Sequence, residues 1–119
     1  MELQSKELRI GNLIYCDGAL GKVTGLDSYG NIQWQGYYPL TKLEPIPLTE
    51  EILLKVGFVK GIVNTLINAY CLFSFYLTIH EDKLFYEWKG GNIEIKYLHQ
   101  LQNLYFALTG KELNTAGLI

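Results

Sequence analysis

Between Cys71 and Tyr97 the chain alternates apolar and polar residues through three runs, and few folds can accept that pattern. In CLFSFYLTI (71–79), Phe73, Phe75, Leu77 and Ile79 share one face while Ser74, Tyr76 and Thr78 share the other. LFYEW (84–88) sets Leu84, Tyr86 and Trp88 against Phe85 and Glu87, and NIEIKY sets Ile93, Ile95 and Tyr97 against Glu94 and Lys96. A period of two marks strands with one buried face. HEDK turns the chain, and in KGGN the Gly90-Gly91 pair suits the centre of a two-residue hairpin, where positive φ is needed. That turn pairs Trp88 with Ile93, Tyr86 with Ile95 and Leu84 with Tyr97, while Ile79 meets Leu84 across the first turn. Both registers gather the apolar residues on one face, and a one-residue slip would scatter them. The expectation is a three-stranded antiparallel meander over 71–79, 84–88 and 93–97.

The next segment, KYLHQLQNLYFALTGKEL, predicts a helix over 97–109 ended by Gly110. At 100° per residue, Tyr97, Leu98, Leu101, Leu104, Tyr105 and Leu108 form one stripe, suited to covering the meander. The far side carries His99, Gln102, Asn103 and Phe106, with the amides read as solvated. Residues 111–119 read as a frayed or loosely docked tail.

Upstream, residues 8–36 break into short runs separated by turns at 17–21 and 27–31, with glycine recurring at 11, 18, 21, 25, 30 and 36. Short strands with sharp bends suit a small SH3-like or KOW-like barrel, the alternative being a plain three-stranded meander. PLTKLEPIPL (39–48) reads as a stiff connector. Thr49 then caps a helix over 50–56, with Glu50 and Glu51 in its first turn and Gly57 stopping it. Nothing in residues 58–70 chooses between strand, loop and a short helix.

Charge excludes some functions. Residues 1–47 carry four basic and five acidic groups, and 48–119 carry six and seven, for a net charge of −2. With no basic stripe to neutralise phosphates, a nucleic-acid partner is disfavoured. The uncharged stretch 61–79 approaches a membrane span in length, but its asparagines and period-two half favour a buried strand. No apolar leader opens the chain. Cys16 and Cys71, far apart and without ligand-spaced neighbours, read as buried free thiols of a reducing cytoplasm. Phosphate loops, dinucleotide fingerprints, HExxH, CxxC and GxSxG are all missing, so no cofactor, metal or catalytic residue is expected.

Candidate contact residues remain. Phe106 points away from the stripe near His99 and Asn103, either covered by the chain's own residues or touching a dimer mate or partner. Tyr15, Tyr29, Trp34, Tyr37 and Tyr38 are too many rings for a small barrel to bury. Of these, Tyr29, Trp34 and Tyr37 are the candidates for a groove of the kind that SH3-like barrels offer proline-rich peptides. The hairpin register also puts Glu87 opposite Glu94, near Tyr76, a carboxylate pair that could share a proton or hold a cation, although Lys89 and Lys96 can neutralise it.

Three stretches carry a resemblance: ELRIGNLIY (7–15), PIPLTEEILLKVGF (45–58) and IKYLHQLQNLYFALTGKEL (95–113). Together they resemble a group of short proteins from Bacteroidetes genomes and their prophages and mobile elements. Ile52 and Val56 stand where that group often has tryptophan and phenylalanine. The resemblance implies a cytoplasmic accessory protein and brings no assigned activity or site residue.

The resulting expectation is an α+β protein. A small SH3-like β-rich module (1–47) shares one core with an α+β module (48–119), in which a short helix precedes the three-stranded meander covered by the C-terminal helix. The function expected is non-enzymatic: protein binding or adaptor work through a protein partner or homodimer. A small metal-dependent hydrolase using Glu87 and Glu94, or a self-assembling structural subunit, are the alternatives.

Overall fold

Tight turns decide where the short N-terminal strands begin and end. Strand β1 (Leu13–Cys16) turns through Asp17 (φ 51) and Gly18 (φ 80) into β2 (Ala19–Leu26). Positive φ at both turn positions gives the twist that a two-residue hairpin needs. The turn therefore occupies only 17–18, and β2 starts two residues earlier than the glycine pattern suggests. At 27–31 the Asp27 carboxylate accepts hydrogen bonds from the Tyr29 and Asn31 amides, both at 2.9 Å, and closes the turn into β3 (Ile32–Trp34). A bulge between Val23 and Gly25 bends β2 against β3. The segment 39–48 is more than a connector, because β4 (Leu43–Glu44) pairs with β1. The strand order is β3-β2-β1-β4, and the core behind it contains Leu3, Leu8, Ile14, Cys16, Val23 and Trp34.

The computed structural model describes residues 3–64, 67–73 and 75–119. They fall into two compact units: Met1–Pro47 with Tyr97–Lys111, and Leu48–Lys96 with Glu112–Ile119.

In the second unit, α1 (Glu50–Lys55) begins where Thr49 Oγ1 accepts the Ile52 amide at 3.2 Å. It ends at Gly57 (φ 105), with the Gly57 amide bonded to Leu54 O and the Phe58 amide to Leu53 O, a complete Schellman cap. Both ends follow the sequence expectation. The stretch 58–70 resolves into β5 (Val59–Asn64) and the start of β6 (Ile67–Leu72), with 65 and 66 outside the described residues. The expected single strand over 71–79 is two. β6 stops at Leu72, Phe73 takes φ 54 in a turn, and β7 (Phe75–His80) returns; the facing expected of Ser74 lies outside the described residues. Glu81 (φ 52) and Asp82 (φ 62) then turn the chain into β8 (Lys83–Trp88), with Ile79 opposite Leu84 as expected.

The last hairpin departs from expectation. Its turn is Lys89-Gly90, not Gly90-Gly91, so Gly91 already opens β9 (Gly91–Glu94) and faces Trp88. The register moves by two residues, and Tyr86 faces Ile93. A shift of two keeps every side chain on its own face, which is why the pattern could not detect it. The result is a five-stranded antiparallel meander, β5-β6-β7-β8-β9, two strands wider than expected. Phe75 and Leu77 are buried, with Phe75 stacked on Tyr86 at 5.0 Å and edge-on to Phe58. The tail is not frayed. Leu113 is buried, and 116–118 form a 3-10 turn against α1, where a side chain at Gly117 would strike Lys55 O.

The second helix, α2 (Leu98–Thr109), stops at Gly110 (φ 72) as expected. It groups with the first unit rather than with the meander that it was expected to cover. Its Leu98 amide donates to Ile46 O at 2.9 Å, and it packs on β1. The buried side holds Leu98, His99, Leu101, Gln102 and Tyr105, while Leu108 is half exposed. The helix is thus rolled about its axis from the apolar stripe toward its amides.

Candidate functional site

The polar side of α2 is occupied by the chain itself. Gln102, 2% exposed, accepts the Leu13 amide on Oε1 at 2.8 Å and donates from Nε2 to Gly11 O at 3.2 Å. Asn103 Oδ1 accepts from Asn12 Nδ2 at 2.8 Å and from Arg9 Nε at 3.2 Å, while its Nδ2 donates to Glu7 O at 3.2 Å. Asn12, fully buried, accepts the Arg9 amide on Oδ1 at 2.7 Å. The LRIGN and HQLQN stretches, some ninety residues apart in the chain, therefore close one network of amides. Buried amides are tolerated when bonded this way, so the network satisfies the backbone where the chain enters β1.

Phe106 completes the row. The Arg9 guanidinium lies over its ring at 4.4 Å, leaving it 39% exposed. The chain's own N-terminal segment meets one side of this ring, and the rest is exposed. Asn103 is committed to internal bonds, and His99, 1% exposed, is off the surface. His99 stacks parallel to Tyr97, and its Nε2 lies 3.3 Å from Glu7 Oε1 in an approach not aligned as a hydrogen bond. Burial pushes the imidazole below its ordinary value, and the Glu7 carboxylate pulls weakly the other way. Sequence reading found no carboxylate near His99, because Glu7 arrives from a 3-10 turn at the opposite end of the chain.

Trp34 is core as well. Its indole donates to Ile14 O at 3.3 Å, and its ring lies where a side chain on Gly21 would sit, 2.4 Å from the nearest ring atom. It is not free to stack on a ligand. The carboxylates are not directly opposed: Glu87 faces Asn92 and Glu94 faces Phe85, because the register moved by two, which makes Glu87 and Glu94 diagonal neighbours. Glu87 instead approaches Thr78 Oγ1 at 3.4 Å. Among the described residues, no three His, Cys, Asp or Glu side chains converge as a metal site would require. Cys16 is buried beside Thr41, Cys71 is half buried, and both are free thiols.

What remains on the surface of the first unit is the loop after β3. Gln35 (φ 51) and Gly36 (φ 88) form a two-residue turn, closed by mutual backbone bonds between Trp34 and Tyr37. The Gln35 side chain accepts the Lys22 amide, and the Gly36 amide donates to Thr24 Oγ1, so the turn is tied to β2. Tyr37 stands edge-on to Trp34 with centroids 5.8 Å apart. Tyr37 is 52% exposed, Tyr38 53% and Leu40 105%, and Tyr29 at the other turn is 90% exposed. A groove runs along each side of this loop, one past Cys16, Asp17 and Ala19, the other past Leu3, Gly30 and Ile32. Sequence reading picked Tyr29 and Tyr37 but passed over Leu40, which carries no aromatic signal.

No helix among the described residues is long and apolar enough to cross a membrane. No family model, curated protein or solved structure matches the chain.

Proposed function

We propose that this is a non-enzymatic protein-binding or adaptor protein. Its contact surface is the loop 37–40 with Tyr29. We further propose the cytoplasmic, phage or mobile-element setting that the Bacteroidetes resemblance implies, and an SH3-like barrel as the fold of the first sheet. The observation that carries the reading is the exposure of Tyr37 on a turn fixed by five hydrogen bonds, with exposed Tyr38 and Leu40 following directly after it. Exposed rings held in one geometry lose little entropy on binding and make good anchors. Trp34, with its indole already bonded inside the unit, leaves that role to the tyrosines.

The test is a photo-crosslinking amino acid placed at position 38, and separately at position 81 in the second unit, in the producing cell. The reading expects one discrete adduct from position 38 and none from position 81. Equal yields from both, or none from either, oppose it. A homodimer or self-assembling subunit is the second reading, favoured by Trp88 and Ile93, both exposed at the β8–β9 edge. Light scattering over a concentration series tests it through the mass. The hydrolase alternative would have to work from Glu87 and Glu94 as diagonal neighbours rather than as a directly opposed pair.

A further inference from the structure

Asp17-Gly18 stands apart chemically from every other aspartate and asparagine in the chain. Of three aspartates and seven asparagines, Asp17 alone precedes a glycine, whose amide no side chain shields. The pair forms the β1–β2 turn, and both residues are exposed. Space around Gly18 is open, since a side chain built there would meet nothing within 4 Å. Among the described residues, neither the Asp17 carboxylate nor the Gly18 amide has a hydrogen-bond partner. Asp27 is the contrast within the same unit. Its carboxylate accepts from the Tyr29 amide, the Asn31 amide and Asn31 Nδ2, each at 2.9 Å. These bonds, the Asn31 side chain's first, hold the carboxyl below the usual carboxylate range, in the ionised form that has no hydroxyl to lose. Asp82 precedes Lys83, which is paired with His80 in the β7–β8 ladder.

We propose that Asp17-Gly18 is a self-modifying site, at which the folded chain converts aspartate to isoaspartate. The Gly18 nitrogen attacks Asp17 Cγ. The N–Cγ bond forms, the Cγ–OH bond breaks, and the hydroxyl leaves as water with the amide proton. Water then opens the resulting succinimide. Breaking the N–Cγ bond restores aspartate, whereas breaking the original peptide bond leaves the main chain running through Cβ and Cγ. One water is lost and one regained, so the step uses no co-reactant and leaves the mass unchanged. The isomer adds one carbon to the main chain of a two-residue turn that sets Cys16 opposite Ala19. Asp17 and Ala19 line the groove beside Tyr37, Tyr38 and Thr41, so the modification reshapes that groove.

The experiment ages the full-length chain in neutral buffer at body temperature, then maps isoaspartate by peptide separation and electron-transfer fragmentation. Ring closure at Asp27 must first break its hydrogen bonds, so isoaspartate at position 17 is expected to exceed that at 27 at least ~10-fold. Position 82 should stay as low as 27. Asp17→Glu, which would have to close a six-membered ring, should lose the signal. The purified isomer should show shifted amide resonances at Cys16, Ala19 and Thr41, with Gly57 in the second unit unmoved. The proposal is overturned if position 17 ages no faster than 27 or 82, if it reacts only in urea where the turn is lost, or if the isomer leaves Thr41 in place.

Discussion

Replacing Gln102 by alanine separates a brace from a wet helix face. The substitution leaves the Leu13 amide, on a residue with no exposed surface, without its acceptor. An unsatisfied buried donor costs about 1–3 kcal/mol. Losing the bond to Gly11 O adds about 0.5–1.5 kcal/mol, and the missing Cγ methylene adds about 0.8 kcal/mol. Water entering the gap would recover part of this, so the expected loss is about 2–4 kcal/mol, a large share of a typical domain's 5–15 kcal/mol. Urea unfolding followed by tryptophan fluorescence, with Trp88→Phe as the background so that Trp34 alone reports, measures it. Gln102→Glu is the sharper control. It keeps an acceptor for Leu13 but turns a carboxylate oxygen toward Gly11 O, so it should be as damaging at neutral pH and partly recover in acid, once the carboxyl can donate. A loss below about 1 kcal/mol for Gln102→Ala, the range of an exposed helix position, would refute the brace.

Other substitutions test separate parts of the account. Gly21→Ala should cost about 1–3 kcal/mol through collision with the Trp34 ring. Gly61→Ala, which meets nothing within 4 Å, should be close to neutral in the same melt. Thr49→Ala should weaken α1 by about 1 kcal/mol through loss of the Ile52 amide bond, read by circular dichroism and thermal melting. Because the folded state holds the His99 pKa below its unfolded value near 6.5, the unfolded chain binds more protons between the two pKa values. Stability contributed by neutral His99 is therefore whole above pH 6.5 and declines as pH falls toward the folded pKa. The difference between wild type and His99→Phe across a pH series of melts should follow that course, whereas a difference rising toward acid would contradict the sign.

Local chemistry was legible in the sequence; long-range chemistry was not. Thr49, Gly57 and Gly110 announce helix ends because capping involves only the nearest turn. The 80–83 turn and the Ile79–Leu84 pair followed from alternation alone. Phe73 hid a strand break, since nothing about a phenylalanine signals positive φ. The Lys89-Gly90 turn escaped because a two-residue shift preserves facing, and it turned the expected Glu87–Glu94 opposition into a diagonal. The helix face was misjudged for a different reason. Gln102 and Asn103 look solvated beside a leucine stripe, and only the arrival of residues 7–13 gives them buried partners. Leu43 and Glu44 likewise look like connector until β1 offers an edge. In the loop, Tyr37 could be suspected from an excess of rings, but its fixed geometry comes from Gln35 and Gly36 bonding back to β2.

The claim underneath is a division of labour: the helix amides hold the first unit together, and the loop after β3 meets the partner. The most direct measurement compares Asn103→Ala with the double variant Tyr37→Ser/Tyr38→Ser in parallel, by melting temperature and by retention of the protein crosslinked from position 38. The account predicts that Asn103→Ala melts several degrees lower yet retains the partner below its melting point, while the tyrosine variant melts like wild type and retains nothing. The reverse pattern, with binding lost in a still-folded Asn103→Ala and kept in the tyrosine variant, would contradict it.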